Sequence, residues 1–364
     1  MKNNINKLTI ILFLGLLFTM TIFNVFSPSK TFSYNENRVL SKPIPFTLDT
    51  LLDGEYTESI ELYMQDQFIF RDQFIMINAI ISNLMNKLEN NKVYIGKQGY
   101  LFNQFKLLSK RNIELNINNV NDLNKDMHMM LVLDSNTINS NYLKKYSYND
   151  NMIELSSLIS DNINDKINYI DMYKPLKDTN DSYFKTDHHW NHNGAYIGYK
   201  TFMNELNMKP LNYTFKEVSN DFKGTLYSKS GLFYYQGEPI FKIIELDDYN
   251  YTVTIDNKEY NSIYFKDRLD EKDKYLYYAN GNYGKITINN SSSITDQSLL
   301  IIKDSYANIM LPYLIPHFKN IYVIDMRDYL EPVSKLIEEN SIDNVLLLYS
   351  LDAFCQNKEL SYLR

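Results

Sequence analysis

The longest apolar stretch of the chain lies at its N-terminus. Residues 8–26 contain no charged side chain and are interrupted only by Gly15, Asn24 and several threonines. An α-helix over these residues extends roughly 28 Å, about the thickness of the hydrocarbon core of a bilayer. We predict a membrane-spanning anchor at residues 8–26 rather than a cleaved signal peptide, because the apolar stretch is longer than usual signal cores and residues 27–29 form a poor cleavage site.

The charges beside this stretch predict its orientation. Lys2 and Lys7 precede it, and the next basic residue is Lys30. The positive-inside rule therefore places residues 1–7 in the cytoplasm and the chain after Phe26 outside it. We expect a single-pass protein of the cell membrane with an extracellular C-terminal domain.

Residues 27–90 are predicted to form a stalk followed by amphipathic helices. The first part is punctuated by proline and serine. After residue 51, apolar side chains recur at steps of three and four, which is typical of a helix with one apolar face. We place the main domain at residues 91–364, because its pattern changes to that of strands.

The main domain alternates apolar stretches of strand length with helical patterns. A hairpin is predicted at residues 92–102, and strands at residues 127–134, 169–172, 298–303, 321–324 and 345–349. Helical patterns over residues 153–167, 306–315 and 333–339 lie between strands, which favours a mainly parallel sheet with flanking helices. Residues about 207–290 are rich in Tyr, Asn and Asp and alternate in polarity, so we expect an antiparallel β insertion in this α/β domain.

Composition excludes several kinds of protein. The formal net charge is −7, from 37 basic and 44 acidic residues, so the sequence lacks the basic surplus expected of a nucleic-acid-binding protein. Cys355 is the single cysteine, which excludes an intrachain disulfide and a cysteine-based zinc site. It follows an apolar strand pattern and is predicted to be a buried hydrophobic residue.

Three of the five histidines fall between residues 188 and 192, beside Asp187 and the single tryptophan, Trp190. This clustering with a carboxylate points to chemistry. One use is a carboxylate that orients an imidazole, which in turn removes a proton from a distant serine. Ser305 suits that role, since it follows a predicted strand and precedes a helical pattern, although a serine there is equally an ordinary helix N-cap.

The second use of the cluster is metal binding. Asp187, His188, His189 and His192 carry side chains that suit zinc or manganese. Adjacent residues seldom point at one ion, and the sequence offers no convincing set of further aspartate ligands on other strands. We therefore keep metal binding as the second hypothesis and predict neither a metal nor another cofactor.

Several short motifs together resemble the DHHW family of bacterial cell-surface proteins, which is related to the AlgJ and AlgX type of alginate O-acetyltransferases. They run in family order: residues 36–40, 63–68 with Arg71, 96–102, 186–191 with Gly194 and Ala195, 223–227, 303–308 and 325–327. The resemblance implies an SGNH-hydrolase-like fold. It also implies a triad in which Asp187 orients His189, the base for the nucleophile Ser305.

The resemblance extends to the surroundings of that triad. The backbone N–H of Ser305 is the first candidate donor to an oxyanion, with Gly224 or Asn308 as a further one and His188 as a supporting residue. The function implied is O-acetylation of a cell-surface polysaccharide through an acyl-serine, with a separate multi-spanning membrane acyltransferase as the acetyl donor. Three rival functions remain open: an extracellular acetylesterase, a non-catalytic polysaccharide-binding surface protein, and a metal-dependent hydrolase that uses the histidine cluster.

Overall fold

The structure is a computed structural model that describes residues 2–107 and 109–363. The chain forms two compact units. One comprises the chain up to Lys87 together with Ser228–Tyr234, and the other comprises Leu88–Tyr227 and the chain from Tyr235 onward.

The first unit contains the N-terminal helix and three further helices. Its elements are α1 (Lys2–Phe26), β1 (Phe32–Ser33), β2 (Arg38–Val39), α2 (Leu48–Leu52), α3 (Glu55–Gln67) and α4 (Arg71–Leu84). Within α1, residues Ile5–Phe26 have a mean hydropathy of 2.3 and are long and apolar enough to cross a membrane. Four side chains of this unit form an ion-pair network in which Arg38 and Arg71 contact Glu36 and Asp66.

The second unit begins with a small three-stranded sheet and continues into a larger one. Its helices are α5 (Lys110–Asp122), α6 (Ser135–Ile138), α7 (Met152–Ser160), α8 (Tyr173–Lys177), α9 (His192–Glu205), α10 (Thr225–Ser230, which ends in the other unit), α11 (Leu311–Leu314), α12 (Val333–Glu339) and α13 (Leu351–Gln356). Short 3-10 helices lie at Ser140–Tyr142, Glu245–Asp248, Lys266–Asp270, Lys274–Tyr277, Ser305–Ala307 and Glu359–Tyr362.

Several strands of the second unit lie where the sequence pattern predicts them. The strands of this unit are β3 (Glu89–Asn90), β4 (Val93–Ile95), β5 (Leu101–Asn103), β6 (Met127–Val132), β7 (Ile167–Asp171), β8 (Phe215–Phe222), β9 (Glu238–Ile243), β10 (Tyr251–Ile255), β11 (Lys258–Tyr260), β12 (Lys285–Asn290), β13 (Ser298–Lys303), β14 (Asn320–Ile324) and β15 (Asn344–Ser350). Strands β4 and β5 form the hairpin expected at residues 92–102.

Eight of the described strands form the main sheet, in the order β11-β10-β12-β14-β13-β15-β6-β7. The five from β14 to β7 are parallel. Every residue of β13 is buried, as expected for a central strand covered by helices on both faces. The predicted α/β class with a mainly parallel sheet is therefore confirmed.

The antiparallel strands expected near residues 207–290 are also present, in two places. Strands β8 and β9 form a separate ribbon. Strands β10, β11 and β12 instead continue the main sheet, because β12 pairs antiparallel with β14.

One predicted helix is interrupted at an informative position. The sequence pattern predicted a helix from about Tyr306 to Ile315, but the chain forms a 3-10 turn at Ser305–Ala307 and resumes as α11 at Leu311. Pro312 lies in the first turn of α11, where no N–H is needed, and it has no N–H to continue a helix that began at Ser305. Ser305 therefore stands on a short turn directly after β13.

Candidate active site

The loop that carries Asp187 and His189 is fixed at both ends. Tyr183 and Trp190 form an antiparallel bridge across it. Asn191 caps α9, since its side-chain oxygen accepts hydrogen bonds from the backbone N–H groups of Asn193 (2.9 Å) and Gly194 (3.3 Å). The tight loop lets two residues only two positions apart direct their side chains to the same place.

The structure brings together the three residues predicted to act as a triad. His189 Nε2 lies 2.8 Å from Ser305 Oγ, and His189 Nδ1 lies 2.6 Å from Asp187 Oδ1. With the ring proton on Nδ1, the imidazole donates to Asp187 and accepts from the serine hydroxyl. Asp187 and His189 are buried, while Ser305 is partly exposed. This is the hydrogen-bond chain that serine-nucleophile chemistry requires.

Asp187 is held as a carboxylate by several donors. Its Oδ1 accepts from the backbone N–H of His189 at 3.0 Å, and its Oδ2 accepts from the backbone N–H (2.7 Å) and hydroxyl (3.1 Å) of Thr225. Burial alone would raise the pKa of Asp187, but His188, His189 and these hydrogen bonds lower it well below its usual range. Asp187 is therefore ionised at every physiological pH.

Gly224 lies against the carboxylate of Asp187, and the absence of a side chain leaves room for that carboxylate. A Cβ on Gly224 would lie 2.3 Å from both Cβ and Oδ2 of Asp187. The backbone N–H of Gly224 donates to Thr186 Oγ1 at 3.3 Å. The residue predicted as a possible oxyanion donor is thus placed beside Asp187, with its N–H already engaged.

The turn that carries Ser305 is held by its own neighbours. Asp304 accepts from the backbone N–H of Tyr306 through Oδ1 (2.9 Å) and from the backbone N–H (2.8 Å) and hydroxyl (2.7 Å) of Ser350 through Oδ2. The hydroxyl of Tyr275 donates to the carbonyl of Ser305 at 2.9 Å. Together these bonds fix the backbone at Ser305 to β15 and to the segment around Tyr275.

The backbone N–H of Ser305 was the first predicted oxyanion donor. Among the described residues it has no acceptor within hydrogen-bond distance. Asn308, the other predicted candidate, is buried, and its side-chain amide donates to the carbonyl of Gly281 (3.4 Å) and to Asn282 Oδ1 (3.1 Å). The side chain of Asn308 thus joins the segment after Ser305 to Gly281 and Asn282.

The remaining members of the histidine cluster occupy different positions. The ring of His188 lies 3.9 Å from that of His189, and His188 Nδ1 is 2.8 Å from Thr225 Oγ1, which suits a supporting role. His192 instead packs against Phe215 and Phe241, and burial lowers its pKa to about 4. In the described part of the chain, the group that could ligate a metal is Asp187, His188 and His189, without His192.

That group fits a metal ion poorly. Both ring nitrogens of His189 are already hydrogen-bonded, one to Asp187 and one to Ser305. A cation held by all three residues would have to replace one of these two hydrogen bonds. The geometry favours the serine arrangement over metal binding.

Three supporting residues were not predicted from the sequence. Thr225 holds Asp187, as described, and Glu238 accepts from the backbone N–H groups of Lys185 (2.6 Å) and Thr186 (2.8 Å), which fixes the start of the loop. The ring of Tyr275 stacks on His189 at 4.0 Å with an interplanar angle of 9°. Thr225 follows Gly224 within a recognised motif and could have been inferred, whereas Glu238 and Tyr275 lie in no motif.

Two positions before Ser305, Lys303 is fully buried at the end of β13. Its ammonium donates to Asn282 Oδ1 at 2.6 Å and lies 3.4 Å from Asp325 Oδ2. Burial lowers the pKa of Lys303 to about 8, against the opposing effect of Asp325. Lys303 thus joins β13 to Asn282, the residue that also accepts from Asn308.

The hydrogen-bond chain from Ser305 to Asp187 thus lies at the carboxyl end of β13, a central strand of a mainly parallel sheet. The model of the family described as DHHW protein matches residues 115–324, which is more than half of the sequence. The chain therefore belongs to the DHHW family.

Several solved structures are similar to this chain. A DHHW family protein from Eubacterium siraeum DSM 15702 aligns with a TM-score of 0.63 at 20% identity, over 75% of this chain and 95% of its own. Bacillus cereus PatB1 with a sulfonyl adduct aligns with a TM-score of 0.64 at 22% identity, over 75% of this chain and 98% of its own. The O-acetyltransferase domain of Pseudomonas putida AlgJ is a weaker match, with a TM-score of 0.45 and 13% identity over 74% of this chain and 94% of its own. Among curated proteins, no match to the sequence is found.

Proposed function

We propose that this protein is a membrane-anchored O-acetyltransferase that modifies a cell-surface polysaccharide through an acetyl-serine intermediate. The observation that carries the proposal is the hydrogen-bond chain from Ser305 through His189 to Asp187, at 2.8 and 2.6 Å. Membership of the DHHW family supports it, since the family resembles O-acetyltransferases of bacterial exopolysaccharide synthesis.

The first half of the reaction forms the acetyl-serine. His189 Nε2 takes the proton of the Ser305 hydroxyl while Oγ attacks the carbonyl carbon of an acetyl donor. The backbone N–H of Ser305 stabilises the resulting oxyanion. The imidazolium, held by Asp187, then gives its proton to the leaving group, and the Ser305 ester remains.

The second half transfers the acetyl group to a glycan hydroxyl. His189 removes the proton of that hydroxyl, whose oxygen attacks the ester carbonyl. When the tetrahedral intermediate collapses, the proton returns to Ser305 Oγ and the glycan leaves as its O-acetyl ester. With water in place of the glycan, the same steps give acetate, which is the reaction of an acetylesterase.

The location of the chain restricts the donor. If α1 is a retained anchor with residues 1–7 in the cytoplasm, the second unit lies outside, where acetyl-CoA is scarce. The acetyl group must then be delivered across the membrane, and a single helix cannot transport it. We propose a multi-spanning membrane acyltransferase as the partner that supplies it.

A groove in the antiparallel part of the second unit suits a polysaccharide acceptor. It has a volume of about 910 Å³, and its lining includes the aromatic rings of Tyr249, Tyr260 and Phe265 together with Asn261 and Arg268. Aromatic faces pack on sugar rings, and planar polar groups bind pairs of hydroxyls. The segment that ends the groove at Tyr277 also carries Tyr275, which stacks on His189. The groove thus shares a segment with a residue that contacts His189.

The first experiment measures hydrolysis of p-nitrophenyl acetate by the full-length chain in detergent micelles. Ser305→Ala and His189→Ala are expected to abolish enzymatic hydrolysis of the ester. The matched control Ser361→Ala replaces an exposed serine and is expected to retain it. Wild-type turnover should be insensitive to a chelator. Activity that survives Ser305→Ala but is lost to the chelator would refute the serine mechanism in favour of a metal-dependent hydrolase.

Two further measurements distinguish an acetyltransferase from an acetylesterase and from a non-catalytic protein. Phenylmethylsulfonyl fluoride should attach covalently to Ser305, as read by peptide mass, and Ser305→Ala should prevent it. Transfer is tested with de-O-acetylated envelope polysaccharide from the producing cells: an acetyltransferase acetylates the polymer, whereas an acetylesterase only releases acetate. A chain with neither ester turnover nor sulfonylation would be a non-catalytic surface protein.

A further inference from the structure

Helix α4 exposes a continuous apolar stripe to solvent. Phe74, Ile77, Ile81 and Leu84 follow one another at steps of three and four, and they are 50%, 48%, 49% and 75% exposed, respectively. From residue 73 to residue 86 the sequence has no charged side chain. A helix with an uncovered apolar face of this length needs an apolar partner.

The turn that directly precedes α4 is hydrogen-bonded to the end of the apolar helix α1. Asn24 Oδ1 accepts from the backbone N–H of Ile69 at 2.8 Å, and Phe23 lines the same cavity as the turn from Phe68 to Phe70. Asn24 lies within the apolar span, which ends at Phe26. At the helical rise, this contact is about 3 Å inside the end of the span.

Further contacts hold the neighbouring segments to the same point. The hydroxyls of Ser29 and Tyr63 are 2.6 Å apart, and Gln67 exchanges hydrogen bonds with the backbone of Lys30 at 2.8 and 2.9 Å. The chain leaving α1 is therefore bound to the end of α3, directly before α4. A stalk extending freely from the membrane would make no such contacts.

We propose that α4 is an interfacial helix that lies on the outer surface of the lipid bilayer with the stripe Phe74, Ile77, Ile81 and Leu84 in the boundary between headgroups and acyl chains. The bilayer is the partner because the helix starts at the depth at which the anchor leaves it. Arg71, at the start of α4, is directed into the ion pairs with Glu36 and Asp66, which keeps its charge off the stripe.

The experiment places an environment-sensitive fluorophore on single cysteines of the full-length chain in vesicles of phosphatidylcholine and phosphatidylglycerol. Ile77→Cys and Ile81→Cys test the stripe, with Phe74→Cys as a further position if one variant does not fold. Glu61→Cys, on the exposed acidic side of α3, is the matched control. The natural Cys355 is buried, and burial raises the pKa of its thiol to about 12, so it reacts slowly; labelling of the wild type measures that background.

The proposal predicts that fluorophores on the stripe are quenched by a lipid that carries a spin label near its headgroup. They should also be bleached by aqueous dithionite on the order of fivefold more slowly than the fluorophore at position 61. Bleaching at the same rate would overturn the proposal. Protection from dithionite without quenching by the spin-labelled lipid would also overturn it, in favour of a protein partner such as a second copy. A mature chain whose mass lacks α1 would overturn it as well, since the contact between Asn24 and Ile69 would not exist.

Discussion

The indole N–H of Trp190 donates to the backbone carbonyl of Tyr306 at 2.8 Å. The hydroxyl of Tyr306 in turn donates to the carbonyl of His188. These two bonds join the loop that carries Asp187 and His189 to the turn that carries Ser305. A Cβ on Gly198 would lie 2.6 Å from the buried indole, so α9 has a glycine where the ring packs against it. Trp190 therefore acts as the clamp between the two halves of the site.

Replacement of Asp187 by asparagine should lower kcat strongly without unfolding the protein. The amide has a similar shape, but it cannot hold His189 in the tautomer that accepts the serine proton. We expect kcat for p-nitrophenyl acetate to fall on the order of 10³- to 10⁴-fold. Asp296→Asn, at an almost fully exposed aspartate, is the control and should leave kcat unchanged. A fall of less than tenfold in Asp187→Asn would contradict the role of Asp187.

The hydroxyl of Thr225 is predicted to support Asp187 in a way that serine can replace. Thr225→Val removes the 3.1 Å hydrogen bond to Asp187 but keeps the shape, whereas Thr225→Ser keeps the donor. Because a hydrogen bond to a charged group contributes about 1.5–3 kcal/mol, kcat/KM should fall roughly 10- to 150-fold in the valine variant. The serine variant should stay within about twofold of the wild type. Equal losses in both variants would assign the effect to packing instead.

Gly224→Ala should act through displacement of Asp187. The added methyl group would lie 2.3 Å from the carboxylate, so that either the carboxylate or the loop must move. A shift of about 1 Å in a catalytic group costs on the order of 100-fold in rate. We expect such a loss in kcat with circular dichroism unchanged. An alanine variant with wild-type kcat would show that the loop moves away freely.

The buried ammonium of Lys303 predicts a pH dependence of stability. Its pKa falls from 10.5 in the unfolded chain to about 8 in the folded one, so folding disfavours the charged form. Between these pH values the unfolded state binds more protons, and the free energy of unfolding therefore rises with pH. Relative to Lys303→Met, the wild type should gain roughly 3 kcal/mol at most between pH 8 and pH 10.5. Urea unfolding across this range measures the difference. A constant difference between the two chains would show that Lys303 titrates normally.

If the aromatic groove holds the acceptor, removal of a ring from it should weaken binding of the polysaccharide. Tyr260 is half-buried and packs edge-on against Phe265 at a centroid distance of 5.0 Å. Tyr260→Ala should weaken retention of the de-O-acetylated polysaccharide in affinity electrophoresis by about tenfold, since an aromatic ring supplies a large contact area for a sugar. The measurement uses a Ser305→Ala background, so that binding is read without catalysis.

Two companion variants sharpen this test of the groove. Asn261→Trp obstructs the groove from its rim without removing a packed side chain and should weaken retention to a similar extent. Tyr362→Ala removes an exposed tyrosine outside the groove and should have no effect. If both groove variants were retained as strongly as their background, the acceptor would bind elsewhere.

The central strands β13 and β15 of the main sheet could be predicted because each is a continuous apolar segment between polar turns. The residues of β13 and β15 are buried on both faces, and this burial is what their sequences encode. The prediction of one continuous helix over residues 306–315 was wrong. The spacing of apolar residues does not show that Pro312 lacks the N–H that such a helix needs. The pairing of β12 with β14 was also not predictable, because the pattern of polar and apolar residues in a strand does not specify its neighbour in the sheet.

The sequence by itself determined which residues could carry the chemistry. A histidine pair beside a carboxylate and a serine after an apolar strand are local features, and the order of motifs identified the family. Only the tertiary structure decided how these residues are used. His189 and Ser305 are 116 positions apart in the sequence. They meet because β13 pairs with its neighbours and because Trp190 joins the two segments. The exclusion of His192 from the cluster, and the recruitment of Thr225, Glu238 and Tyr275, likewise depend on packing between distant segments, which no local pattern specifies.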